Sequence, residues 1–478
     1  LDEVRERYRR AIVTRTYHDP SELFDHHSYE KAALVLHTLR YILGDTHFWR
    51  VIRAYVEKYR EKAVETSDFK STVEEVTGRS MDLFFEQWFF KPGHPELSVK
   101  VEWHEDSKTA TVTVRQVQDT SDGTPIFQFP AEILVIDEVG EKIHSIDIVD
   151  KNHTFQFPLQ RKPLSVVFDP ENWILKTIAF DKPVQMLLYE LKNGKSIMTR
   201  IWAARTLANL PTTEVVKALG ESTLHDPFWL VQAESAGALG AIGSNAALDA
   251  LLEGLKVKHP KARRGVVRAL GAFQNERAAD ALLNILQQNE SYFVQAEAAR
   301  SLGKTKSSKA FETLVNTFRT KGSYRDVIRV YALKGLAELK DSRAAPIILE
   351  GTQYGLYFRV RQAATKLLGK VANLHPAAFD RLIELLKDKN YYVRIAAAEA
   401  LEDLGDPRAI PELERVLEKD AEPNGRMTSR RAIDGIRESG GKIELRKLQE
   451  EVDELKKENS RLQQQIQAIK NQSAAGSG

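Results

Sequence analysis

An Arg or Gln stands seven residues before a leucine at seven places along the chain: Arg200/Leu207, Gln232/Leu239, Arg263/Leu270, Gln295/Leu302, Arg329/Leu336, Arg361/Leu368 and Arg394/Leu401. Successive leucines are 32, 31, 32, 34, 32 and 33 residues apart. A period this steady predicts stacked helical hairpins over residues 186–440, about seven of them, because one hairpin cannot bury its apolar face without a neighbour. Small residues recur between the anchors, as at Ala203-Ala204, Ser235-Ala236, Ala298-Ala299, Ala363-Ala364 and Ala396-Ala397-Ala398, where helices must approach closely. Aromatic pairs precede several anchors, at Phe228-Trp229, Tyr292-Phe293, Tyr357-Phe358 and Tyr391-Tyr392. Such pairs form a packing ladder between repeats or, on a concave face, a peptide-binding surface; the sequence leaves both open.

The rest of the chain has other periods. Residues 1–94 read as helical: Leu34, Leu36, Leu39, Ile42 and Leu43 form one apolar stripe, and Phe48, Ile52, Tyr55, Val56 and Tyr59 form a second beyond Gly44-Asp45. Thr66-Ser67-Asp68-Phe69 predicts the cap of a third helix ending near Gly78, and a short helix through Leu83 and Trp88 is stopped by Pro92-Gly93. From 95 to 183 the pattern alternates, at Leu97, Val99, Val101 and Trp103, then in runs at Val112 and Val114, Ile126 to Phe129, Ile133 to Ile136, Ile143 to Ile148, Phe155 to Phe157 and Val166 to Phe168. This predicts a small all-β sandwich. After Gly440-Gly441, heptad a positions hold Leu445, Val452, Asn459 and Ile466 and d positions hold Leu448, Leu455 and Leu462, which predicts a coiled coil over 442–472 and a parallel homodimer. A helix folded back on the array is the alternative, and residues 473–478 read as a flexible tail.

The 69 basic and 67 acidic residues leave a net charge of +2, so no whole-chain field favours nucleic acid or an anionic membrane as partner. The cluster Lys256, Lys258, Lys261, Arg263 and Arg264 reads as a solvated helix face. No apolar run approaches the roughly 20 residues of a membrane span. The absence of cysteine excludes disulfides, thiolate metal ligands and a cysteine nucleophile. Among the 12 histidines there is no His-x-x-x-His pair. His26 and His27 are adjacent, so on a helix they point about 100° apart. His104-Glu105 begins like a zinc-binding helix, but Lys108 holds the second ligand's place. No metal ligand is assigned; His37 reads as a packed helix residue and Arg40 as a salt-bridged one.

Two resemblances add function to this outline. The array, most plainly in Asn390 to Leu401 followed by Leu404-Gly405-Asp406-Pro407, resembles short HEAT repeats. In the first part of the chain, Ser28-Tyr29-Glu30-Lys31, Leu36-His37-Thr38-Leu39-Arg40, Leu43-Gly44-Asp45, Thr66-Ser67-Asp68-Phe69, Gln87-Trp88 and Gly93-His94-Pro95 follow the order of landmarks in M1 zinc aminopeptidases. Phe168-Asp169-Pro170-Glu171-Asn172-Trp173-Ile174-Leu175-Lys176 resembles the last strand of that family's β domain. In such enzymes a zinc-bound water attacks the peptide carbonyl next to a free N-terminus, and a tyrosine phenol donates a hydrogen bond to the developing oxyanion. By resemblance Tyr29 takes that role. The family's His-Glu-x-x-His helix and later Glu, which lie N-terminal to the tyrosine, have no counterpart here, and Ala32 stands where the family usually has Gly.

The expected fold is therefore multidomain and mainly α: the C-terminal helical part of an M1-like catalytic domain over 1–94, a β-sandwich over 95–183, an α-solenoid of HEAT-like repeats over 186–440 and a C-terminal coiled coil over 442–472. The expected function is that of part of a cytoplasmic zinc-dependent aminopeptidase that removes N-terminal residues from peptides. In that expectation the chain starts partway through the catalytic domain, zinc belongs to the parent enzyme, none is bound by this chain, and the chain alone is inactive. The alternative is a non-catalytic HEAT-repeat scaffold with an M1-like remnant, dimerised by the coiled coil.

Overall fold

The computed structural model describes residues 9–17, 20–287, 291–371, 375 and 377–438. The expected coiled coil at 442–472 and tail at 473–478 lie outside them. Two compact units divide the chain between Ala269 and Leu270.

The first unit opens with α1 (Ala32–Tyr59), in which Gly44 leaves helical geometry with φ 74° and ψ 157° and so separates the two apolar stripes, as the glycine predicts. Helix α2 (Thr66–Thr77) is capped one residue earlier than Thr66: Glu65 accepts from the N3 amide, and Asp68 returns the bond to the Glu65 amide at 2.8 Å. This reciprocal pair is a capping box built from two acids, which also suits the positive end of the helix. Gly78 ends α2 in the left-handed conformation. Helix α3 (Asp82–Phe85) runs on into a π-helical turn over Glu86–Phe90. Leu39, Val51, Val73, Phe85 and Trp88 are buried in the core between these helices and the sheets that follow.

Seven strands form two sheets: β1 (Glu96–His104), β2 (Thr109–Gln116), β5 (Asn152–Pro158) and β7 (Thr177–Asp181) in the order β5-β2-β1-β7, and β3 (Phe129–Ile136), β4 (Glu141–Ile148) and β6 (Ser165–Phe168) in the order β4-β3-β6. Only the β1–β7 pair is parallel. The inward-facing alternate residues of both sheets, such as Val99, Val112, Ile133 and Ile146, share one core. Two expectations are corrected. Ile126 to Gln128 do not extend β3, because side-chain amides take the places of ladder partners: Gln116 bonds both the N–H and the C=O of Phe127, at 2.9 and 2.8 Å, and Gln87 bonds both of those groups of Gln128, at 2.9 and 2.6 Å. The segment from Asp169 to Lys176 is a loop, with Asp169 and Asn172 at positive φ, and the last strand is β7 just beyond it.

Helices follow as α4 (Val184–Asn193), α5 (Ile197–Leu207), α6 (Thr213–His225), α7 (Trp229–Ile242), α8 (Asn245–Gly254) and α9 (Pro260–Leu270), whose last residue opens the second unit. The second unit is helical throughout its described residues: α10 (Glu276–Gln287), α11 (Tyr292–Thr305), α12 (Ala310–Thr320), α13 (Val327–Leu339), α14 (Ala344–Glu350), α15 (Phe358–Val371), α16 (Ala377–Leu385), α17 (Tyr391–Leu404), α18 (Ile410–Lys419) and α19 (423–438), with short 3-10 turns before α13 and α18. All seven periodic leucines are fully buried. Each burial is worth about 1.5–3 kcal/mol.

Three of the arginine anchors act as staples. Arg200 donates to the Gly194 carbonyl at 2.8 Å and to Asp226 at 2.8 Å, and Arg394 to the Asp388 carbonyl at 3.0 Å and to Asp420 at 2.8 and 2.6 Å. Arg361 pairs with Asp388. Each fastens the first helix of a hairpin to the loop before it and the loop 26 or 27 residues ahead. Arg426 continues the series by donating to the Asp420 carbonyl at 2.8 Å. It stands seven residues before buried Ile433 and marks an eighth such helix that a search for leucine passes over. No described helix is long and apolar enough to cross a membrane.

Candidate active site

Tyr29 sits in a single π-helical turn, His27–Lys31, at the entrance to α1. The turn is closed by Lys31 N–H donating to the His26 carbonyl at 2.8 Å, five residues back. Such turns are uncommon and recur at functional sites. Asp25 organises it. The Asp25 carboxylate accepts from the amides of His27 and Ser28, both at 3.0 Å, from the His27 ring at 2.9 Å, and from Arg10 through two nitrogens at 3.0 and 2.7 Å. Arg10 also donates to the Ser28 hydroxyl at 3.1 Å, and its carbonyl accepts from Lys31 Nζ at 3.3 Å. Burial pushes the Asp25 carboxyl up, but the Ser28 amide, Arg10 and His27 together hold it below its ordinary value of 3.8.

This clamp fixes the backbone and leaves the phenol out. Tyr29 is 57% exposed, with Phe24 as its ring neighbour at 6.2 Å between centroids. Among the described residues no carbonyl takes this phenol's hydrogen bond, so it is an available donor, as an oxyanion stabiliser requires. His26, His27, Glu30 and Lys31, and not Tyr29 itself, line a cavity of about 490 Å³ together with His94, Lys176 and Trp202. Ala32 follows with φ −60° and ψ −40°, so its methyl group is accommodated in ordinary helical geometry.

Further along α1, the loop after β6 docks onto the helix. Trp173 stacks on His37 at 4.7 Å and on Tyr41 at 5.8 Å, while the Thr38 hydroxyl donates to the Trp173 carbonyl at 2.9 Å and accepts from the Leu175 amide at 3.1 Å. His37 is thus packed as a helix residue, and Arg40 is held by Asp45 through two nitrogens at 2.7 and 2.8 Å. Tyr41 is pushed up to about 12 by burial and by Glu132, Asp169 and Asp147, so it stays a neutral phenol. Asp169 anchors the loop, accepting from the Trp173 and Ile174 amides, each at 2.9 Å, and from buried Lys176 at 2.6 Å. A second buried pair, Lys182 with Glu190 at 2.7 Å, ties the end of β7 to α4. Burial pushes both ammonium groups down, against the pull of their carboxylates.

Among the described residues no group of three or more His, Cys, Asp or Glu side chains is arranged to hold a metal ion. His104 ends β1, in line with its reading as strand rather than zinc helix. The described residues therefore offer no donor set that fits zinc. The sequence singles out Tyr29 as a candidate but not Arg10 or Asp25, whose place in the clamp depends on a contact across 15 residues of irregular chain.

The comparisons with known proteins divide the chain in the same way. Residues 1–88 match the Peptidase family M1 domain. Residues 184–259, 248–329 and 357–434 match HEAT repeats, and 328–354 match the PBS lyase HEAT-like repeat. Aminopeptidase M1-C of Oryza sativa subsp. japonica is 33% identical over 84 residues, which is 18% of this chain and 10% of that protein. Phycocyanobilin lyase subunit alpha of Picosynechococcus sp. is 50% identical over 60 residues, 13% of this chain and 22% of that protein. The crystal structure of Legionella pneumophila aminopeptidase A in complex with aspartic acid aligns with 89% of this chain and 58% of that one, at a TM-score of 0.55 and 16% identity, a likeness of fold alone. The chain thus spans about a tenth to a quarter of the length of these two curated relatives. At its N-terminal end it carries part of an M1 peptidase domain, and an array of HEAT repeats follows.

Proposed function

We propose that this chain serves a zinc-dependent aminopeptidase that removes N-terminal residues from peptides, with Tyr29 donating the hydrogen bond that stabilises the oxyanion. The observation that carries the reading is the exposed phenol on the Arg10–Asp25–His27 clamp, within the residues that match the M1 peptidase domain. On this reading zinc, which the family implies, is held by residues of the parent enzyme outside this chain, and the isolated chain is inactive. Its own residues fix the turn and present the phenol. A cytoplasmic setting fits the cysteine-free composition.

Two measurements test this. The purified 478-residue chain should bind no stoichiometric zinc by elemental analysis and release no N-terminal residue from a peptide; either result to the contrary sinks the reading. In the longer enzyme, Tyr29→Phe should lower kcat about 10²–10³-fold with little change in KM, the cost of losing one oxyanion donor. A variant with full kcat, or a longer protein without activity, turns the choice to the second reading, a HEAT-repeat scaffold.

In both readings the chain dimerises through 442–472. The support is the heptad pattern with its single Asn459 at position a. Sedimentation should give a dimer at micromolar concentration and a monomer after deletion of 442–478.

A further inference from the structure

The second unit contains a groove of about 850 Å³ along the first helices of its hairpins, and its lining includes no residue of the Tyr29 turn or its clamp. Its charges are unevenly matched. Lys366 is paired with Glu399 at 2.6 Å and Arg431 with Glu402 at 3.1 Å, whereas Arg325, Lys334, Arg359 and Lys370 also line or rim the groove and make no ion pair among the described residues. Lys334 is half-buried, 4.7 Å above the ring of Tyr331. Burial first, and then Arg300, Lys366 and Lys370, push its ammonium down, with Glu297 alone among the named neighbours pulling the other way. The buried Nε–H of nearby Arg300 has no acceptor. Such a cluster of cations is relieved by an incoming anion.

The mouth carries aromatic side chains at hairpin spacing. Phe293 on α11 is 52% exposed and Tyr324, just before α13, 62%. Phe358 opens α15 and stacks at 5.8 Å on Tyr392 of α17, so successive hairpins each present a ring at the same helix end. Tyr324 owes its position to a turn in which two consecutive non-glycine residues, Arg325 and Asp326, stand at φ 54° and 52°. Strain of this kind persists where the surroundings enforce it, and it gathers at binding sites.

We propose that this groove binds an extended acidic peptide, whose carboxylates meet Arg325, Lys334, Arg359 and Lys370 and whose apolar side chains lie against Phe293 and Tyr324. Packed helices lie about 10 Å apart, and an extended chain rises about 3.3 Å per residue, so every third side chain of the peptide meets a new hairpin. Glu399, Glu402 and Asp403 line the same groove and would repel a continuous phosphate backbone, while a peptide can place a neutral or basic residue there. The proposal does not rest on the aminopeptidase reading and stands or falls without it.

The test is fluorescence anisotropy with the full chain and a fluorescein-labelled peptide of three Glu-Phe-Gly units, set against the same peptide with Lys for Glu and against an oligothymidylate. The acidic peptide should bind saturably and more weakly as salt rises. Lys334→Ala with Lys370→Ala should weaken it by about tenfold or more, as should Arg325→Glu on the exposed turn, which keeps the test decisive if the double variant loses helical circular dichroism. Lys217→Ala in the first unit should change nothing. Absence of saturable binding, equal binding of the lysine peptide, preferential binding of the oligonucleotide, or unchanged affinity in Arg325→Glu overturns the proposal.

Discussion

Asp25 receives five hydrogen bonds from three residues, and through them the charge of one carboxylate sets the conformation of the Tyr29 turn. Because its folded pKa lies below the ordinary value of 3.8, the unfolded chain binds more protons between the two values. The stabilisation is therefore complete above pH ~3.8 and fades as pH falls through the folded value. Asp25→Asn keeps the shape and the amide contacts but loses the charge, and should cost about 1–2 kcal/mol at neutral pH. Thermal melts of the two proteins across pH should show that gap narrowing below pH ~3.8; a gap independent of pH would separate Asp25 from the clamp. Tyr29 was legible because the residues around it form a recognisable run. Arg10 was not, since nothing in Arg9-Arg10-Ala11 distinguishes a clamping arginine from a solvated one until the chain folds back. His37 is packed and Arg40 salt-bridged as read, but their partners, Trp173 from a distant loop and Asp45 beyond the Gly44 break, follow from no helix spacing.

The elements show the same division between pattern and tertiary choice. The leucine period gave the hairpins, since burial leaves a mark at every turn of the array, but the arginine's role was hidden because its partners lie in loops that carry no period. Ile126 to Phe129 carried a strand-like alternation, and Gln116 and Gln87 claimed the backbone groups of Phe127 and Gln128 instead. The two buried lysine pairs offer a comparison at this scale. Without Lys176, Asp169 keeps two backbone amides; without Lys182, Glu190 keeps only the Ser165 hydroxyl at 2.6 Å. Lys182→Met should therefore destabilise by about 3–5 kcal/mol, as expected when one buried charge loses its partner, and Lys176→Met by distinctly less. Urea midpoints of the two variants measure this, and equal losses would refute the account.

At the scale of the whole molecule, all six tryptophans fall before residue 270 and thus in the first unit, while the described residues of the second unit are helical throughout. Indole fluorescence reports one unit, and far-ultraviolet circular dichroism reports both. Urea transitions followed by the two probes should not coincide, because two compact units need not unfold together. A single superimposable transition would mean that they do. The arginine staples bear on the history of such a chain as well as on its stability. Arg200, Arg361 and Arg394 each reach back to the loop before their own helix and forward only as far as the loop 26 or 27 residues on, so each of these joints involves neighbouring hairpins alone. A gene segment of about 32 codons that is copied or lost in frame leaves ends that still mate, and the array can change length by whole units while the surviving joints stay intact.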